Sequence, residues 1–139
     1  MPRRISEVMP GTKAVILSPS ATVHAAAVAM KERRQCVVLV MTADRLDGLF
    51  TEQDIVRRIV AERRDPETVT LAEVMTAHPD TIAPGDLALK GLQMMEDGCY
   101  RHLPVVQNGR VIGLISRIDF LGEDKTELEA ERHCWETLG

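Results

Sequence analysis

At 139 residues the chain has room for one compact domain, or for two half-size units that share a core. A hydrophobic fraction of 45% and a charged fraction of 27% are ordinary for a folded protein, and a net charge of −4 gives no electrostatic reason to bind nucleic acid. No apolar run reaches membrane-spanning length, MPRRISEVMPG lacks the apolar core of a signal peptide, and Cys36, Cys99 and Cys134 suit reduced thiols in a cytoplasm better than a disulfide framework. Four His without paired spacing and no Cys-x-x-Cys leave a structural metal unexpected. Arg33, Arg34, Arg57, Arg58, Arg63 and Arg64 are interleaved with acids, as on solvated helix faces. Aromatics make up 3%, so the core must come from Val, Ile, Leu, Met and Ala.

In chain order, AVILSPSATV predicts a short strand, a Pro-containing turn and a helix. That helix runs from about Thr22 to Arg34, with Val23, Ala26, Ala27 and Met30 on one face at 3.6-residue spacing. CVVLVM then reads as a buried strand, TADRLD as a turn, RLDGLF as a second strand, and a helix opens at Thr51. The order returns in PDTIAPGDLA, followed by a helix from about Asp86 to Asp97. Its apolar face is Ala88, Gly91, Leu92 and Met95, and Gly98 is expected as a left-handed stop. HLPVV and RVIGLI follow as strands joined by Asn108-Gly109, a strong hairpin signal, before a helix at Ser116. Residues 120–138 predict a charged helix with Leu121, Leu128 and Trp135 seven apart, folded back on the module or contributing to a dimer.

These elements are a duplication. A shift of 65 aligns Pro19 with Pro84, Met30 with Met95, Val40 with Val105, Gly48 with Gly113 and Asp54 with Asp119. A shift of 66 aligns ISEVM at 5–9 with LAEVM at 71–75. The expected organisation is a repeat over 1–65, a second over 66–123 and a helical tail over 124–139. The fold class is α+β, each repeat being β-α-β-β-α. One such unit leaves apolar surface uncovered. Packing two around a pseudo-two-fold axis covers it and leaves two inter-repeat clefts, a usual place for small ligands.

TEQD at 51–54 and SRID at 116–119 carry the chemistry. A hydroxyl followed three residues later by an acid is a capping box, which satisfies free N–H groups at a helix start. Capping boxes favour Glu or Gln there, yet both copies have Asp, directly after a buried strand where free N–H groups attract an anion. An Asp so placed can take the two hydroxyls of a ribose. In CYRHLPVV, Arg101 offers a fork for phosphate and His102 a further donor; the alternative is two solvated strand-end residues. Cys36 and Val37 occupy the matching positions of the first repeat and cannot hold phosphate, so the two clefts are chemically unequal. Cys99 and His102 are a thiol and an imidazole three residues apart near a strand, pointing to opposite faces, and no enzymatic activity is expected.

The VM motif, the Pro-x-Thr-Ile strand, RHLPVV and the Gly-apolar-apolar-[Ser/Thr]-x-x-Asp ending resemble a tandem pair of CBS domains, the Bateman module, over roughly residues 5–123. The resemblance implies a non-catalytic regulatory module that binds an adenosine ligand: AMP, ADP or ATP, with NADH or S-adenosylmethionine as further members. It implies one site with Thr51 and Asp54 on the ribose, Thr81 and Ile82 near adenine, and Arg101 and His102 toward phosphate. The mirror site would use Ser116 and Asp119 with the strand from Lys13 to Ile16. Family members often place Arg before the first Asp, where this chain has Gln53, which removes a phosphate contact. The family also implies a homodimer and a regulated protein partner bound in trans; the competing reading is an interaction module that has kept the fold without the ligand.

Overall fold

The computed structural model describes residues 2–10 and 14–120. The elements are α1 (Ile5–Val8), β1 (Val15–Leu17), α2 (Val23–Arg33), β2 (Val37–Thr42), β3 (Arg45–Thr51) and α3 (Glu52–Asp54), which runs into a π-helical segment, Ile55–Val60. They continue with α4 (Leu71–Val74), β4 (Thr76–Ala77), α5 (Ala88–Gly98), β5 (His102–Gln107), β6 (Arg110–Ser116) and a 3-10 turn, Arg117–Asp119. The expected tail helix and Lys13 lie outside the described residues.

Local chemistry accounts for most of these boundaries. Thr22 starts α2 by accepting the Ala25 N–H on its hydroxyl at 3.1 Å. Val23, Ala26 and Met30 are buried on that helix, with the expected Ala27 only half-buried, and Ala88, Gly91, Leu92 and Met95 are buried on α5 as the spacing predicts. Both helices end on a left-handed residue, Arg34 and Cys99, 65 residues apart. The expected stop at Gly98 is therefore one residue early. Gly98 is the last helical residue, and its small size is needed for a different reason. A Cβ there would lie 2.1 Å from Cε1 of Tyr100, whose hydroxyl donates to Asp80 at 2.8 Å.

Two antiparallel hairpins match each other. β2–β3 runs from Val37↔Thr51 to Thr42↔Arg45, and β5–β6 from His102↔Ser116 to Gln107↔Arg110. Both carry a register shift, between Val40 and Met41 and between Val105 and Val106. The second turns on Asn108 (φ 53°) and Gly109 (φ 78°), the left-handed pair that this hairpin requires. The first turns on Ala43 and Asp44 alone, tighter than TADRLD suggested, because Arg45, Leu46 and Asp47 join β3. Asp47 braces that end by accepting from the Thr42 hydroxyl and from Arg45 Nε. The Thr42 bond is the main reason its carboxyl sits below the usual value.

Two compact units result, each with its own core. Thr12–Pro79 forms one, with a four-stranded sheet in the order β1-β2-β3-β4. Its core includes Val23, Val38, Phe50, Leu71 and Val74. The short β4, which pairs antiparallel with β3 at Gly48↔Ala77 and Leu49↔Thr76, adds a strand to the three expected. The described residues of Met1–Gly11 and Asp80–Gly139 form the other unit, with Ile5, Val8, Leu92, Leu103, Ile115 and Phe120 in its core. There β5–β6 is joined by a single parallel bridge, Ile82↔Val105, where the first unit has the three-residue β1–β2 ladder. Pro104 explains the loss: it stands where Leu39 pairs with Ile16 and has no N–H to donate.

The duplicated helices α1 and α4 make equivalent bonds. Ile5 and Ser6 donate N–H to Asp86 O and Pro84 O at 2.8 and 3.0 Å; Leu71 and Ala72 donate to Ala21 O and Pro19 O at 2.9 and 3.0 Å. Hence α1, at the start of the first repeat in sequence, packs with residues of the second.

Candidate functional site

Thr51 and Ser116 each end a strand and begin a helical turn with nearly the same backbone, φ −124° and ψ 169° against φ −121° and ψ 164°. The turn brings the Asp three residues on back to the cap. Thr51 N–H donates to Asp54 Oδ2 at 2.9 Å, and Ser116 N–H donates to Asp119 Oδ2 at 2.7 Å. Glu7 and Glu73 receive the N–H groups of Arg4 and Thr70 in the same way, at 2.9 and 3.0 Å. The shorter Asp thus closes a capping box as well as Glu does, and its length does not by itself distinguish a ligand site from a cap. What distinguishes the copies is the second carboxylate oxygen.

Asp119 Oδ1 accepts no hydrogen bond from the described residues. Asp54 is engaged on both sides: Oδ2 also receives the Thr51 hydroxyl at 3.2 Å, and Oδ1 faces Arg58 Nε at 3.5 Å. Arg58 was not among the residues expected at the site. Its signal is the i,i+4 spacing from Asp54 on one helical face. Its Nη1 also donates to Val74 O at 2.6 Å and Met75 O at 3.2 Å. The side chain lines an open recess of about 360 Å³ with Arg57, Glu62, Arg64, Glu73 and Val74.

The strand start beside each motif is held to it by one backbone bond. Arg117 N–H donates to Arg101 O at 2.9 Å, and Glu52 N–H donates to Cys36 O at 3.1 Å. Arg101, His102, Ser116 and Asp119 are thereby gathered at one end of β5–β6. His102 is half-buried, and Arg101 is exposed. Burial pushes the imidazole below its ordinary value of 6.5; Asp119 pulls it back up and Arg101 pushes it further down. At neutral pH the ring therefore serves as a neutral donor and acceptor, and the Arg101 guanidinium, with Arg117 in the adjoining turn, carries the positive charge near this end.

The remaining expected residues divide between the units. Thr81 is exposed, but the Ile82 side chain belongs to the core; its N–H donates to Pro104 O and its carbonyl accepts from Val106. Ile16 is 57% exposed in β1, next to buried Val15. Thr81, Ile82, Arg101, His102, Ser116 and Asp119 fall in one unit, and Ile16, Thr51 and Asp54 in the other. Among the described residues no cluster of His, Cys, Asp and Glu is arranged to hold a metal ion. No described helix is long and apolar enough to cross a membrane.

The family model of the CBS domain matches residues 5–61 and 71–125. The CBS domain-containing protein CBSCBSPB2 of Arabidopsis thaliana is 39% identical over 105 residues, which are 75% of this chain and 20% of that protein. The chain spans about a fifth of the length of the Arabidopsis relatives of this name that it matches. Among solved structures, the CBS domain protein PAE2072 from Pyrobaculum aerophilum, complexed with AMP, is 25% identical with a TM-score of 0.82, covering 92% of this chain and 99% of that one. The hexameric CBS-CP12 protein from bloom-forming cyanobacteria is 26% identical with a TM-score of 0.78, over 99% of this chain and 83% of that one. The duplicated hairpins, the doubled hydroxyl-x-x-Asp turns and these matches agree: the chain belongs to the CBS-domain family and carries two CBS domains in tandem.

Proposed function

We propose that this chain is a non-catalytic regulatory module that binds an adenosine ligand, with AMP, ADP or ATP ahead of NADH and S-adenosylmethionine. The observation that carries this reading is the Asp119 carboxylate. One oxygen is held by the cap, and the other accepts nothing from the described residues, at the end of a hairpin that also presents Arg101 and His102. A ribose supplies hydroxyl donors for such an oxygen, and a phosphate takes a guanidinium fork and an imidazole donor. The AMP held by the Pyrobaculum relative supports the ligand class. Regulation follows by linkage: ligand changes the affinity of this module for a second copy or a protein partner, and that partner changes ligand affinity by the same factor. The reading places the module in the cytoplasm as a homodimer, with a partner outside the chain.

A thermal-shift panel with AMP, ADP, ATP, NADH and S-adenosylmethionine tests it. A ligand present at one hundred times its dissociation constant stabilises the native state by about 2.7 kcal/mol. A rise in Tm with one adenosine ligand is expected, and its loss in Asp119→Asn, which keeps an oxygen for the cap. No shift with any of the five would exclude this reading and leave an interaction module. Asp54, whose two oxygens are both engaged within the chain, favours that second reading for the first repeat.

A further inference from the structure

The duplication supplies its own comparison, because the same turn is built twice with different surroundings. Thr51–Asp54 and Ser116–Asp119 share backbone, cap and the bond to the preceding strand start. They differ in which donors reach the carboxylate. At Asp54 the Thr51 N–H and hydroxyl occupy Oδ2, and Arg58 lies against Oδ1. At Asp119 the cap N–H occupies Oδ2, and no described donor reaches Oδ1.

We propose that Arg58 is a specificity-determining residue that withholds Asp54 from ribose, so that each chain binds one adenosine ligand, on Asp119. This deepens the adenosine-ligand reading and rests on it. Arg58 is not a loosely tethered surface cation at this point. Its Nη1 is anchored on the Val74 and Met75 carbonyls at 2.6 and 3.2 Å, which holds the guanidinium beside Asp54. A ribose hydroxyl arriving there must displace a charged donor that also holds the end of α4. A hydroxyl arriving at Asp119 displaces nothing among the described residues. The second repeat cannot copy the arrangement, since the residue 65 positions after Arg58 is Glu123. Phosphate chemistry runs the same way. His102 pairs with Ser116 across β5–β6, whereas the matching partner of Thr51 is Val37, and Arg101 is matched by Cys36. Hydroxyl acceptor and the Arg101–His102 donors therefore coincide in the Asp119 unit, whereas in the other the acceptor is engaged by Arg58, and Cys36 and Val37 stand at the matching donor positions.

Isothermal titration of the full chain with AMP tests the proposal, in wild type, Asp119→Asn, Asp54→Asn, Arg58→Gln and Arg58→Lys. Wild type is expected to bind one equivalent. Asp119→Asn should weaken it by about ten- to one-hundred-fold, the range for losing a hydrogen bond to a charged group. Asp54→Asn should leave stoichiometry and affinity unchanged. Arg58→Gln should admit a second equivalent that disappears in Arg58→Gln/Asp54→Asn, and Arg58→Lys, which keeps a cation, should remain at one. Two equivalents in wild type would overturn the proposal while leaving the ligand reading intact, as would loss of binding in Asp54→Asn but not Asp119→Asn. These two arms decide the matter even if Arg58→Gln fails to fold. Absence of binding by wild type to all five adenosine ligands would remove the ligand reading and this proposal with it.

Discussion

At His102 burial and the Asp119 carboxylate oppose each other. Its folded-state pKa is depressed below 6.5, by burial first. The unfolded imidazole therefore takes up a proton over a pH range in which the folded one resists it. Stability is unaffected by this group above 6.5, falls as pH drops below 6.5, and levels off below the folded-state value. His102→Gln removes that dependence. Between pH 7.5 and 5.5 the wild-type Tm should fall further than that of the variant; equal slopes would show that His102 does not couple to folding. Arg101 and His102 were legible in sequence as polar residues at a strand entry, and Asp54 and Asp119 as capping acids. The inequality of the two strand entries was legible in Cys36 and Val37, but that of the two carboxylates was not, because it depends on Arg58, which is held by the carbonyls at the end of α4.

Each second hairpin strand carries a glycine under a methionine, a pairing repeated along with the rest of the fold. A Cβ on Gly48 would meet Met75 Sδ at 2.6 Å and Thr76 O at 2.7 Å; one on Gly113 would meet Met9 Cε at 2.3 Å, with the next atom 3.8 Å away. The two clashes differ in kind. Met9 can swing its terminal methyl aside, whereas Thr76 O is backbone of β4, paired to β3 at this position. Gly48→Ala is expected to cost about 1–3 kcal/mol, the range for overpacking a close-fitted site, and Gly113→Ala clearly less. Urea denaturation of the two variants checks the order, and equal losses would refute the distinction. The sequence aligned Gly48 with Gly113 without revealing why they are glycine. No positive φ is recorded at either one. The reason is a methionine side chain from another segment, joined at Gly48 by the Thr76 carbonyl.

Each core is completed by the helix that sequence order assigns to the other repeat. Ile5 is fully buried with Leu92, Leu103 and Phe120, and Leu71 is fully buried with Phe50 and Val23. Truncating either to Ala should cost about 2–5 kcal/mol. Hydrogen exchange should then localise the loss: Ile5→Ala to α5, β5 and β6, and Leu71→Ala to β1, β2 and β3. Loss spread evenly over both units in either variant would mean that the units unfold together. A cut between residues 65 and 66, where the repeats separate in sequence, would strip Val69, Leu71 and Val74 from the core of the Thr12–Pro79 unit.

By itself the sequence determined the duplication, the β-α-β-β core of each repeat, the two hairpins, most of the buried faces of α2 and α5 and the capping acids Asp54 and Asp119. These depend on residues within a few positions of each other, or on a hairpin register that a short turn imposes. Only the tertiary structure decided that α1 completes the second core, that Ile82 is buried, that Gly98 makes room for Tyr100 and that Arg58 stands over Asp54. The contacts of α1, of Ile82 and of Arg58 with the end of α4 join residues far apart in the chain, as does the bond from Arg4 Nη1 to Gly85 O across 81 positions. Propensity and periodicity describe one segment at a time and carry no information about which distant segment will supply the partner.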